Sequence, residues 1–153
     1  MDLLLAALDA ETDAEALDLT RQYWLHREAR RQEYNFTSNL SELERQREWL
    51  EGLAKYSELA LGRLAGSSPA YIPVPEIQTD PDFAAYTRQE VYWKQQLTEA
   101  TGSALRSGET RFYYSGLVQA ALLDRLSPEW KERILTTDLA LEDLLRELTP
   151  VQP

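Results

Sequence analysis

Between Ser41 and Gly66 the chain reads SELERQREWLEGLAKYSELALGRLAG, its longest helical pattern. On a wheel of 3.6 residues per turn, Leu43, Leu50, Leu53, Ala54, Ser57, Leu61 and Leu64 share one face, widened by Trp49, Tyr56 and Ala60. An arc that wide predicts a central helix covered by the rest of the chain, with Leu50 in the core and Leu50→Asp unfolding the domain. Along the other shoulder run Glu44, Arg47, Glu51 and Glu58, which puts the carboxylates of Glu51 and Glu58 where core meets solvent.

The remaining pattern is helical too. Thr12 and Glu15 have capping-box spacing, so a helix is expected from about Asp13 to Gln32, its inner face marked by Leu17 and Trp24; Arg21 and Glu28 on that face either form an ion-pair network across to another helix or, the preferred reading, snorkel to water. Tyr34 to Asn39 is a connection, and Ser38, Asn39 or Ser41 caps the long helix. Gly66-Ser67-Ser68-Pro69 ends it. Tyr71-Ile72-Pro73-Val74-Pro75 then forms an extended strap, expected to lie on the helices through Tyr71, Ile72 and Val74. Asp80-Pro81 opens a helix from Pro81 to about Ala100 with Phe83, Tyr86, Trp93 and Leu97 inward. Glu90 sits amid those aromatics, where a carboxyl raised by desolvation is the sharper reading and a structural hydrogen bond to an arginine or tyrosine the commoner fate. A polar loop from Gly102 to Thr110 leads to a helix over about Ser115 to Leu126. A short helix passes through Trp130 and Ile134, and a last one, opened by Thr137 or Asp138, runs to Leu148 before Pro150. The fold class is all-α, one domain over residues 1–153, with five or six helices around a long central one and a single proline strap.

Composition narrows the partners. The 153 residues are 43% hydrophobic, enough for one buried core, and carry a formal charge of -10, which repels nucleic acid and anionic lipid. Arg27, Arg30 and Arg31 cluster, but Glu28 and Glu33 interleave with them, as on a solvated or ion-paired face. Without cysteine there is no disulfide, thiol nucleophile or thiolate metal site, which fits a reducing, cytoplasmic setting. The apolar start, LLLAAL, follows an acidic residue and is too short for a signal peptide, and no run approaches the ~20 apolar residues of a membrane span. His26, the one histidine, falls off the Leu17–Trp24 face and is expected in solvent. No Ser-His-Asp set, phosphate-cradling loop or internal repeat is present.

The run Trp49-Leu50-Glu51-Gly52-Leu53-Ala54-Lys55-Tyr56 resembles the helix that carries the glutamate zinc ligand of gluzincin metallopeptidases, where Glu-Gly-Leu-Ala-x-Tyr is common. Phe112-Tyr113-Tyr114-Ser115-Gly116 and Leu122-Leu123-Asp124-Arg125-Leu126 are similar to the downstream part of some bacterial proteins of that type. The resemblance implies Glu51 as the metal ligand and Tyr113 or Tyr114 as hydroxyl donor to a developing oxyanion. It also implies an upstream H-E-x-x-H, which this sequence lacks, since His26 begins only H-R-E-A-R. The isolated chain therefore has neither the imidazole ligands nor the general base of a zinc peptidase, and is expected to hold no cofactor alone. It reads either as the C-terminal part of a longer or split metallopeptidase, binding zinc when an upstream half completes it, or as a helical module that keeps the scaffold without the metal.

Two other readings compete. One is a non-enzymatic acidic module that buries the Trp24 or Trp93 neighbourhood against a partner or a second copy of itself. The other is a small-molecule hydrolase built on Glu51, Glu58 and Glu90.

Overall fold

A computed structural model of the chain describes residues 1–83, 86–103 and 108–150. It is all-helical: α1 (Asp2–Asp9), α2 (Asp13–Glu33), α3 (Ser38–Arg47), a π turn (Glu48–Gly52), α4 (Leu53–Ser67), α5 (Pro75–Gln78), a 3-10 turn (Tyr86–Arg88), α6 (Gln89–Ser103), α7 (Thr110–Leu126), α8 (Trp130–Thr136) and α9 (Leu141–Leu148). No strand occurs among the described residues.

Local chemistry explains the boundaries. Thr12 caps α2 as predicted, its Oγ1 accepting from the Glu15 amide at 3.2 Å, but the reciprocal half of the capping box is displaced by one residue, Glu15 accepting from the Glu11 amide at 3.2 Å and not from that of Thr12. α2 ends at Glu33, and two residues on the chain turns away at Asn35, whose φ of 50° is a left-handed conformation that asparagine tolerates. Thr37 caps α3, one residue before the expected Ser38. α6 does not begin at Pro81: Asp80 and Pro81 build a turn in which Asp80 Oδ1 accepts from the Asp82 amide, and helical hydrogen bonding starts only near Tyr86. Residues 84–85 of that expected helix and 104–107 of the expected loop lie outside the described residues, as do 151–153. The strap is extended from Tyr71 to Val74 before α5, but Tyr71, Ile72 and Val74 are exposed rather than laid on the helices.

The long helix is present as α3, the π turn and α4 in unbroken succession, yet the helix covered on every side is α7. From Tyr114 to Leu123 each α7 residue is buried, because Ser115, Gly116, Ala120 and Ala121 let neighbours approach between Leu117, Leu122 and Leu123. Trp24, Leu59, Trp130, Leu141, Leu144 and Leu145 complete the core around it.

Against α7 the long helix is turned the opposite way from the wheel's expectation. Its buried positions are Glu44, Glu48, Gly52, Tyr56, Leu59 and Gly62, whereas Leu43, Leu50, Leu61 and Leu64 face out, Leu50 being 54% exposed and Leu64 64%. Leu50 is thus a surface residue, and the expectation that Leu50→Asp unfolds the domain is overturned. Two features set this phase. Gly52 lies against Gly116 so closely that a Cβ on Gly52 would stand 2.3 Å from the Gly116 Cα. The π turn keeps Glu44, Glu48, Gly52 and Tyr56 four residues apart on the inner side, where an unbroken α-helix would drift away.

That backbone contact gives a direct test. Gly116→Ala would put a methyl 2.3 Å from the Glu48 carbonyl oxygen, so its urea midpoint should fall by the equivalent of about 1–3 kcal/mol or more. Gly102→Ala, whose methyl would meet nothing within 4 Å, should leave the midpoint unchanged or raised.

Candidate functional site: a buried arginine and carboxylate centre

Arg27 and Arg31 stand one turn apart on the inner face of α2 and are 5% and 9% exposed. Arg27 donates through Nη1 and Nη2 to Glu48 Oε1 and Oε2, both at 2.9 Å. Arg31 donates in the same two-pronged way to Glu142 of α9, also at 2.9 Å twice. Glu44 Oε2 lies between them, 3.1 Å from Arg27 Nη2 and 3.0 Å from Arg31 Nη2. At the rim, Arg30 reaches Glu44 at 2.5 Å, Glu28 accepts from Arg31 at 2.8 Å and from Arg146 at 2.6 Å, and Arg146 returns to Glu142 at 2.9 Å.

Arg27, Arg30, Arg31 and Arg146 are thus matched one for one by Glu28, Glu44, Glu48 and Glu142, and the cluster is neutral. Removing such ions from water costs several kcal/mol each, offset here by paired, bidentate geometry. Neutral groups add to it: Ser115 Oγ donates to Glu48 Oε1 at 2.7 Å, and Tyr23 Oη accepts from Arg27 Nη1 at 2.6 Å. Burial pushes the Tyr23 phenol up to about 12, so it stays protonated. Desolvation alone would raise Glu44 and Glu142, but the surrounding guanidiniums outweigh it and hold both carboxyls below the usual range. Trp24 forms part of the wall, with the Arg146 and Arg27 guanidiniums 5.2 and 5.7 Å from its ring.

A cavity of about 450 Å³ opens above Arg27, between α1, α2 and α7, lined among others by Tyr23, His26, Arg111, Phe112 and Ser115. Arg111 stacks at 4.6 Å on the Phe112 ring. His26 is exposed at the rim, in keeping with its expected place in solvent.

The residues singled out from the sequence lie elsewhere. Glu51 is on the outer shoulder of the π turn, 3.4 Å from Arg47, and the Tyr113 hydroxyl donates to it, which raises the Tyr113 phenol. That pair joins two of the three expected site residues. Tyr114 points the other way and donates to Glu99 of α6 at 2.7 Å. Glu58 pairs with Lys55 at 3.1 Å. Glu90 makes the structural bond to an arginine that was its commoner expected fate, 2.6 Å from Arg63, but it does so exposed and not amid the aromatics, because α6 starts later and turns Trp93 and Gln96 inward. Glu51, Glu58 and Glu90 therefore do not converge. Trp24 and Trp93 are covered within the chain itself, so neither offers the docking surface expected there. Among the described residues no group of three or more His, Cys, Asp or Glu is placed to hold a metal ion.

Glu44, Glu48 and Glu142 were missed as site residues. Their signal was present in the matched spacings, Arg27 to Arg31 and Glu44 to Glu48, each one turn, which let two helices zip charge to charge. Glu142 could not be found this way, being far along the chain.

Comparison with models of known families, with curated proteins and with solved structures finds no match.

Loss of one partner should be severe. Arg27→Met leaves buried carboxylates unpaired and should cost about 3–5 kcal/mol in urea unfolding. Arg21→Met, on the exposed side of the same helix, should change the midpoint little. Because the folded carboxyls of Glu44 and Glu142 lie below 4.5, protons bind the unfolded chain more readily. Their stabilisation is complete above that value and is lost as pH falls through the lower, folded ones. A urea titration series from neutral to acid pH should show this loss, blunted in Glu142→Gln.

Proposed function

We propose that the chain is a non-catalytic helical module built on a metallopeptidase-like plan, in which arginines supply internally the positive charge that a metal ion would bring. The observation that carries this reading is the pair of bidentate contacts from Arg27 to Glu48 and from Arg31 to Glu142. Arg27, Glu28 and Arg31 have the spacing of the two ligands and the base in an H-E-x-x-H helix, with guanidinium where imidazole would stand. A glutamate from a following helix faces them, as a third ligand would. The register differs from the resemblance, for the facing residue is Glu48 and not Glu51.

The donor set does not fit zinc. Guanidinium stays protonated and offers no lone pair, and the nearby carboxylates are already engaged by cations. Nor is a base poised: Glu28 is held by Arg31 and Arg146. With no ligand set and no free base, these residues support a scaffold role.

Isothermal titration of the purified chain with zinc at neutral pH should show no stoichiometric binding. The double substitution Arg27→His with Arg31→His, checked for helicity by circular dichroism, should create a zinc site with Glu48. Tight zinc binding by the native chain would overturn the reading, and so would a folded double variant that fails to bind.

A further inference from the structure

We propose that the cavity between α1, α2 and α7 binds a small organic anion, a monocarboxylate carried on a compact apolar body, with Arg111 as the partner of its charge. This rests on the cavity wall and not on the scaffold reading above.

The wall keeps hydrogen-bond donors after its acceptors are engaged. Both oxygens of Glu48 accept from Arg27, and one of them from Ser115 as well, while those of Glu44 accept from Arg30 and Arg31. The donors facing the same cavity are not exhausted. The Nε atoms of Arg27 and Arg30 are enclosed and have no hydrogen-bond partner among the described residues. Tyr23 Oη accepts from Arg27, and among the described residues its own proton finds no acceptor; burial keeps that proton in place. Buried polar groups are nearly always satisfied, so a wall with donors to spare calls for an acceptor from outside the chain.

Arg111 supplies the charge. It stands in the first turn of α7 on the cavity wall, exposed, with its guanidinium 4.6 Å from the Phe112 ring. Among the described residues no carboxylate pairs with it: Glu109, two residues before, is turned to Arg47 at 3.0 Å, and residues 104–107 contain no acid. Asp2, the remaining acid on the wall, lies in the first turn of α1, where the helix N-terminus favours its charge. In a chain of formal charge -10, a guanidinium left over at the rim of a cavity is placed to draw in an anion.

The rest of the wall sets the ligand's body. Leu3, Tyr23 and Phe112 give the cavity apolar sides, and its volume of about 450 Å³ takes a ring or a short alkyl chain with room beyond a bare ion. An inorganic anion would leave those sides in water. The negative charge of the chain favours a single carboxylate over a dianion such as phosphate, and a planar carboxylate accepts from a guanidinium in two-pronged fashion.

Isothermal titration of the full chain with phenylacetate at neutral pH should show one site per chain, and phenylacetamide, its uncharged twin, should bind about tenfold more weakly. Arg111→Gln, at an exposed and unpaired position, should keep the native urea midpoint, lose about tenfold in affinity for phenylacetate and bind phenylacetamide as the native chain does. Inorganic phosphate should not displace phenylacetate. Proton magnetic resonance spectra should show the Tyr23 and Phe112 ring signals shifting as the site fills. Absence of binding by phenylacetate, hexanoate and octanoate alike, each at millimolar concentration, overturns the proposal. So does equal affinity for acid and amide, competition by phosphate, or a set of shifts confined to the exposed leucines of the long helix.

Discussion

Two guanidiniums taken almost wholly out of water on α2 are the constraint from which the rest of the arrangement follows. A buried arginine cannot shed its proton, so its charge has to be met by carboxylates at contact distance. Glu48 and Glu142 meet it two-pronged, and Glu44 joins the two. These acids come from the long helix and from α9, segments far apart in sequence, so the centre closes only when α2, α3 and α9 are all in place. Apolar contacts around α7 supply most of the burial, but many helix packings could do that. The charge centre accepts only one, since a slip of one turn would leave an ion unpaired.

The backbone is shaped to satisfy this centre. Gly52 against Gly116 lets the π turn press on α7, which brings Ser115 within 2.7 Å of Glu48 and sets that carboxylate for Arg27. A side chain at either glycine would lift the turn away and move Glu48 with it. The π turn, the glycine pair and the arginine pair are thus parts of one device. The cavity beside Arg27 lies at their junction, between α1, α2 and α7.

What was legible in the sequence was local. Thr12 with Glu15, the breaker run at Gly66 to Pro69, and Ser127-Pro128 before Trp130 act over one or two turns and read directly as helix ends. The all-α class followed from them. The phase of the long helix did not, because a helical wheel assumes that leucines seek the core and that the turn is uniform. Here glycines and glutamates face inward, and a π turn alters the period at Glu48–Gly52. Glu90 was misplaced for a related reason: an Asp-Pro start signal at Asp80 was used for a turn, and moving the start of α6 moved the whole face. Glu51 and Tyr113 lie together, but on the outer shoulder, where Arg47 engages the carboxylate.

Inverting the long helix has a consequence at each of its faces. Inside, carboxylates where leucines would be expected require cations across from them, and α2 supplies these at matching one-turn intervals. Outside, leucines where charges would be expected leave apolar surface in water, each fully exposed side chain forgoing about 1.5–3 kcal/mol of burial. A chain that needed only a stable bundle would gain by rotating this helix, placing Leu50 and Leu61 on α7 and Glu44 and Glu48 in solvent. The glycine contact and the charge centre together forbid that rotation. Two separate features, the Gly52–Gly116 contact and the pairing of Glu44 and Glu48 with Arg27, hold those leucines outward.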